Sequence, residues 1–315
     1  MQENAVRHRL GARWARARAL VCVSATVAGL LLMTGCGGTE AKGPATGLDT
    51  LDPGVLRVAA QSYMPYSAIK GSEIVGLDGE ILQHVADRLD LKIEPQLTDF
   101  NGMLGGVQSH RVDITIGGVA WTKERASQGL FTDPPYYSPP AMGVASGKHY
   151  ATIEDLAGQR LGTVTGYVWV KSIQAVPGAK LGAYPSALGV FDDLASGRLD
   201  VGFLDPLLIV YYQKQRPDRP METEYLTPPT AAQIKQHPEY DFFAPYQTSF
   251  YIPKQEPKLE AAISREIRAM YADGSMAKLI AKWGGDPQKF LTPTPAMAAA
   301  RRGVDRPSNW TPPSL

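Results

Sequence analysis

Cysteine is almost missing from this chain of 315 residues: the two present are Cys22 and Cys36, and nothing beyond position 36 carries a thiol. A disulfide framework is therefore excluded, and the fold has to rest on its hydrophobic core. Histidine is nearly as scarce, with five in all, and His84, His110, His149 and His237 stand apart without metal-ligand spacing. No sequence stretch has the form of a nucleophile elbow or a phosphate-binding glycine loop. Glu80 and His84 share a helix face at i, i+4 but lack a second ligand pair, which reads as helix surface. Charge of one sign is lacking too. The five arginines and one acid of residues 1–35 supply +4, so the net +1 of the whole chain leaves about −3 for the remainder. Such a balance excludes a polyanion binder and argues against nucleic acid as a partner. Beyond Met33 no apolar run approaches the ~18 residues of a membrane-spanning helix. There is no internal repeat and no low-complexity block in the body of the chain.

What the chain does have is a leader. Arg7, Arg9, Arg13, Arg16 and Arg18 precede an apolar run from Ala19 to Met33, which ends in Thr34-Gly35-Cys36. A basic head, a short apolar stretch and small residues at the cut site predict a secretory signal over residues 1–35. The Met33-Thr34-Gly35-Cys36 ending resembles the lipobox of bacterial lipoproteins, with Met33 and Thr34 in place of the usual Leu and Ala or Ser. That resemblance implies that Cys36 becomes the lipidated first residue and that the protein is anchored outside the cytoplasmic membrane. Residues 36–54 read as a flexible tether, and residues 292–315, with their prolines and Ala298-Ala299-Ala300-Arg301-Arg302, read as a disordered tail.

The intervening ~240 residues suffice for one large domain or two lobes. Leu56–Ala60 reads as a strand, and Asp78 is placed to cap a helix whose apolar positions Ile81, Leu82, Val85, Ala86 and Leu89 follow a 3.6-residue period. Strand 91–95, helix 103–108 and strand 112–116 complete a βαβαβ opening, which predicts a parallel sheet flanked by helices. The pattern restarts near Leu156, with strands at 161–164 and 199–204 and helices at 188–194 and 206–212. Tyr136-Tyr137-Ser138-Pro139-Pro140 is the expected junction. One further strand, 249–252, and helices at 258–272 and 275–283 follow, separated by Gly274. The late strand fits a gap in the first sheet, so the chain is expected to cross between lobes twice.

In this order the chain resembles the solute-binding proteins of ABC importers, in the family that binds polar amino acids. The segments that carry the resemblance are Met64-Pro65-Tyr66, Val75-Gly76-Leu77-Asp78, Thr98-Asp99-Phe100-Asn101-Gly102, Gly118-Val119-Ala120-Trp121-Thr122-Lys123-Glu124-Arg125 and Phe131-Thr132-Asp133-Pro134. Glu154-Asp155-Leu156-Ala157-Gly158, Gly197-Arg198-Leu199-Asp200, Asp273-Gly274 and Lys282-Trp283 continue it, so that it spans 55–283. It implies an α/β fold: a two-lobed periplasmic binding protein of type II with two hinge crossovers and a central ligand cleft. Lobe 1 is then expected over 55–136 and 248–291, and lobe 2 over 141–244. It also implies a monomer that needs no cofactor or metal, takes a small amino acid-like ligand and hands it to an ABC permease.

By the same resemblance Arg125 grips the ligand α-carboxylate, a task that suits the fixed fork of a guanidinium. Asp205, at a strand's C-terminal end, receives the α-ammonium; its structural alternative is a cap for the helix that begins at Pro206. Tyr63, Tyr66 and Phe100 form aromatic walls, and Gln61 reads the side chain. Gly118, Ala120 and Trp121 from one loop and Thr165, Gly166, Val168 and Trp169 from the other complete the expected site. Ala120 and Val168 depart from the pattern, because relatives place hydroxyl-bearing residues there. Each lost donor leaves a carboxylate oxygen short of a partner unless backbone N–H groups of Gly118 and Gly166 serve. An aromatic-lined site also suits a betaine-like cation. A Pro-rich stretch, 216–241, either overhangs the cleft or decorates the surface. Two other classes stay open: a periplasmic cyclohexadienyl dehydratase-like enzyme, for which turnover of prephenate or arogenate is the sign, and a receptor docking on a separate sensor.

Overall fold

β1 (Val55–Ala60) begins the first sheet because Leu56, Val58, Ala59 and Ala60 all bury their side chains. A hairpin of β2 (Ala68–Lys70) and β3 (Glu73–Val75) leads into the helix Leu77–Arg88, which buries Ile81, Leu82, Val85 and Ala86 as their helical spacing predicts. The chain continues through β4 (Lys92–Leu97), helix Phe100–Gln108, β5 (Ile114–Thr115), the short helix Lys123–Ala126 and β6 (Leu130–Phe131). It then leaves the first lobe along β7 (Tyr136–Ser138). The second lobe holds β8 (Met142–Ala145), β9 (Arg160–Val164), helix Trp169–Ala175, β10 (Lys180–Tyr184) and helix Ala187–Ala195. It closes with β11 (Val201–Phe203), helix Pro206–Gln215 and β12 (Met221–Glu224). The return runs along β13 (Tyr246–Thr248) into β14 (Tyr251–Ile252).

These elements come from a computed structural model that describes residues 47–219 and 221–315. The leader, Cys36 and the tether up to residue 46 lie outside the described residues. Two five-stranded sheets form, one per lobe, in the orders β4-β1-β5-β14-β6 and β10-β9-β11-β8-β12. β1 is parallel to β4 and β5, and β9 is parallel to β10 and β11. β14 enters the first sheet antiparallel between β5 and β6, so the chain does cross twice. The crossovers β7 and β13 pair antiparallel with each other, Tyr137 opposite Gln247. Together they make a two-stranded hinge.

Two expectations fail, each for a tertiary reason, and one left open is settled. Residues 292–315 are ordered: the helix Pro295–Arg301 lies on lobe 1, and Trp310 and Arg301 are buried. Arg301, wholly buried, donates to the Phe131 and Thr132 carbonyls and to Asp305. Trp310 Nε1 donates to buried Asp133 at 3.0 Å, and Tyr137 Oη in the hinge donates to Pro313 O at 2.6 Å. Composition alone read as disorder, but the partners lie more than a hundred residues upstream. The tether is likewise docked from residue 47: Leu51 N donates to Asp113, and Asp49 accepts from Lys258 N and Leu259 N at the start of helix Pro257–Ala272. Finally, the Pro-rich stretch is built into lobe 2. β12 pairs with β8 at the sheet edge, and the helical turn Pro238–Phe243 packs against helix Trp169–Ala175.

Candidate functional site

The site is assembled from loops at the C-terminal ends of strands in both sheets, where open α/β sheets place their ligand crevices. In lobe 1, Asp99 caps helix Phe100–Gln108 by accepting from Gly102 N at 2.7 Å, which sets Phe100 at the cleft. After β5 the chain turns through Gly117 and Gly118, both with positive φ. A Cβ on Gly118 would lie 3.1 Å from Asp205 and 3.3 Å from Tyr63, so the approach of the two lobes there demands glycine. Asp78 holds this turn. It was expected to cap its helix; instead that position belongs to Gly76, and the Asp78 Oδ2 accepts from Gly117 N at 2.8 Å and Gly118 N at 3.0 Å. Its burial raises its pKa to about 6 despite those bonds.

Thr122 caps the next helix, its Oγ1 accepting from Arg125 N at 3.0 Å. The Arg125 guanidinium then reaches across the cleft: it donates to Ala120 O of its own lobe at 2.8 Å and to Gly166 O of lobe 2 at 2.9 Å, and lies 5.1 Å from the Phe100 ring centroid. Burial lowers its pKa to about 10, which leaves it charged at neutral pH. No described carboxylate forms an ion pair with it.

Asp205 is the opposite pole. It sits at the cap position of helix Pro206–Gln215, yet its side chain makes no cap bond. Instead Tyr63 Oη donates to its Oδ2 at 2.6 Å and Tyr246 Oη donates to its Oδ1. Only 2% of it is exposed, burial raises its pKa to about 6, and no described cation pairs with it. Further bonds cross between the lobes: Gln61 Nε2 to Tyr167 Oη at 3.0 Å, Leu207 N to Tyr66 Oη at 3.3 Å and Lys171 Nζ to Glu124 at 2.9 Å. The lobes are thus closed on each other.

Between these poles lies a cavity of about 10 Å³, lined by Phe100, Gly118, Ala120, Arg125, Tyr167, Val168, Trp169 and Tyr246. That is room for about one water, so any larger ligand enters as the lobes part. A wider space of about 540 Å³ opens at the cleft mouth and shares Arg125, with Glu124, Lys171, Glu239 and Phe242 on its walls. The Pro-rich stretch supplies Glu239, and Phe242 directly follows it. Phe242 also fixes a cavity wall, since Trp169 Nε1 donates to Phe242 O at 3.0 Å.

Of the residues expected at the ligand, Phe100, Gly118, Ala120, Arg125, Val168 and Trp169 surround the cavity. Tyr63, Gln61, Asp205 and Gly166 contact them from just behind. Tyr66 stands one layer back, stacked between Tyr63 and Tyr136 at 5.6 and 5.9 Å. Thr165 is exposed beside an outer groove with Pro185. Trp121 does not face the cleft at all: its Nε1 donates to Asp305 at 3.1 Å, and Arg301 lies 5.9 Å from its ring. The ordered tail claims it. Missed by the sequence reading were Tyr167 and Tyr246. Tyr167 lay inside a segment already singled out, between Gly166 and Val168; Tyr246 lay beside the crossover proline, with no motif around it.

The fold and this geometry agree with what the chain is similar to. The profile of bacterial extracellular solute-binding proteins, family 3, matches residues 56–286, and the chain belongs to that family. ABC transporter arginine-binding protein 1 of Escherichia coli K12 is 28% identical over 224 residues, covering 70% of this chain and 87% of the relative. L-cystine-binding protein TcyJ of the same strain is 25% identical over 239 residues, 74% and 83% of the two chains. Among solved structures, an ancestral arginine-binding protein bound to glutamine is 26% identical with a TM-score of 0.64, covering 75% of this chain and all of that one. A precursor of cyclohexadienyl dehydratase, the ancestral amino acid-binding protein AncCDT-1, is 23% identical with a TM-score of 0.61, over 73% and 95% of the two chains; it shares the fold and carries nothing about reaction.

Proposed function

We propose that this protein binds a small zwitterion, an amino acid or a derivative of one, between its lobes and delivers it to an ABC importer while Cys36 anchors it by lipid to the outer side of the cell membrane. The observation that carries this reading is a pair of unneutralised charges at one cavity, Arg125 on its wall and Asp205 just behind Gly118 and Tyr246. Arg125 offers a fork of donors to a carboxylate, and Asp205 offers a counter-charge to a cation at the other end. A ligand bearing both charges bridges them and favours closure, because only the closed form lets it touch both lobes. The names of the relatives support an amino acid as the ligand and an ABC transporter as the partner. The lipobox-like ending supports the anchor, since one acyl chain holds a protein marginally and two hold it stably.

Calorimetry tests the reading on the chain lacking residues 1–36, which retains all the described residues. Zwitterions are screened first, and Arg125→Ala is then compared with the unaltered protein. Affinity is expected to fall by about 2 kcal/mol or more, because the substitution leaves a carboxylate unpaired in a closed cleft. Equal affinity in the two proteins rejects this site.

A further inference from the structure

We infer that the cationic end of the ligand is a fully N-methylated, betaine-type ammonium and not a primary ammonium. The inference rests on the zwitterion reading above and narrows its substrate class. A primary ammonium brings three N–H donors that each need an acceptor once water is excluded. The cavity has few to give. Its lining side chains are apolar or aromatic apart from Arg125, which only donates. The Ala120 and Val168 side chains carry no oxygen, and the carbonyls of Ala120 and Gly166 each already accept one bond from Arg125.

The hydroxyls each already make one hydrogen bond. Tyr246 donates to Asp205, and Tyr167 accepts from Gln61. Both Asp205 oxygens already accept a tyrosine hydroxyl, and Gly118 presses against the same carboxylate. Asp205 thus keeps its charge but has about two of its four lone-pair sites left, fewer than the three N–H groups of a primary ammonium.

A methylated ammonium needs none. Its charge spreads over methyl groups, and it is stabilised by aromatic faces together with a nearby counter-charge. The structure supplies both. Phe100, Tyr167, Trp169 and Tyr246 form a continuous run of rings along the cavity, with successive centroids 4.7, 6.1 and 5.7 Å apart. Tyr63 adds a fifth ring, 6.1 Å from Tyr167, directly against Asp205. The trimethylammonium would sit in this box before Asp205, and the carboxylate would reach Arg125.

The test is calorimetry with matched pairs that differ only in N-methylation: glycine with glycine betaine, L-proline with L-proline betaine, and L-histidine with its trimethyl betaine. In a pair that binds, the methylated member is expected to bind at least tenfold more tightly, and Trp169→Leu is expected to weaken that member at least tenfold. Primary or secondary amines that bind as tightly as their betaines, or more tightly, overturn the inference and leave the zwitterion reading standing, provided Arg125→Ala still weakens them. Binding by no member of any pair overturns the betaine assignment. Arg125→Ala then decides the broader reading separately, against whichever zwitterion the screen returns. Trp169→Phe, which keeps a ring, separates loss of the aromatic face from loss of folding: retained betaine binding there and loss in Trp169→Leu supports the box, and equal loss in both counts against it.

Discussion

Arg125 in the cleft and Arg301 in the C-terminal segment are nearly the same device. Each guanidinium donates to two backbone carbonyls and lies over aromatic rings: Phe100 for Arg125, and Trp121 and Trp310 for Arg301. One group separates them. Asp305 gives Arg301 a carboxylate at 2.6 Å, while Arg125 has none among the described residues. Neutralised and wholly buried, Arg301 has nothing left to offer a ligand and serves as a rivet between the chain end and lobe 1. On the proposed reading Arg125 keeps its charge for a ligand. What distinguishes the arginine proposed to bind ligand is the missing counterion, not the bonds it makes.

The largest test of that contrast is Arg301→Ala. It leaves Asp305 without its ion pair and removes the Arg301 donors from the Thr132 and Phe131 carbonyls, of which Phe131 keeps Arg306, and should cost about 3–5 kcal/mol of stability by chemical denaturation. Arg125→Ala is the mirror image, with its main effect on affinity and little on unfolding. A stability loss at Arg125 as large as that at Arg301 would break the comparison.

Asp205→Asn sharpens it from the acidic side. Burial raises the Asp205 pKa from the ordinary carboxylate range to about 6, so the folded state holds a proton that the unfolded chain releases between about pH 4 and 6. Stability from this group therefore falls as pH rises through that window and is lowest above it. Asp78, also raised to about 6 by burial, acts in the same direction. The ligand-free protein should then gain stability from pH 7 to pH 5, and Asp205→Asn should raise stability at pH 8 by about 1–3 kcal/mol while flattening that pH response. Thermal melts across this range decide it; a variant less stable than the parent at pH 8 contradicts the assigned cost. The smallest effect belongs to Trp121→Phe. Losing its bond to Asp305 should cost about 0.5–1.5 kcal/mol and leave ligand affinity unchanged. A drop in affinity would return Trp121 to the cleft.

The lobes were legible in the sequence wherever local pattern governs. Helix Leu77–Arg88 announces itself through Ile81, Leu82, Val85 and Ala86, and the loops bearing Arg125 and Asp205 follow strands with an apolar signature. Two short strands were not: β6 and β7 have two and three residues, too few for a period, and are strands only because they pair. The role of Asp78 was hidden as well. A helix-start acid looks like a cap, and its bonds to Gly117 and Gly118 span about forty positions. Trp121 and the tail were misread together, for they are each other's partners.

By itself, then, the sequence determined two α/β lobes, their double crossing and the two charged loops, because helical periodicity, strand-end loops and motif order are written in neighbouring residues. Only the tertiary structure decided which arginine meets a carboxylate, that Tyr167 and Tyr246 line the cavity, and that residues 292–315 fold back. Burial and charge compensation depend on groups brought together from far along the chain, as Arg301 and Phe131 are across 170 positions.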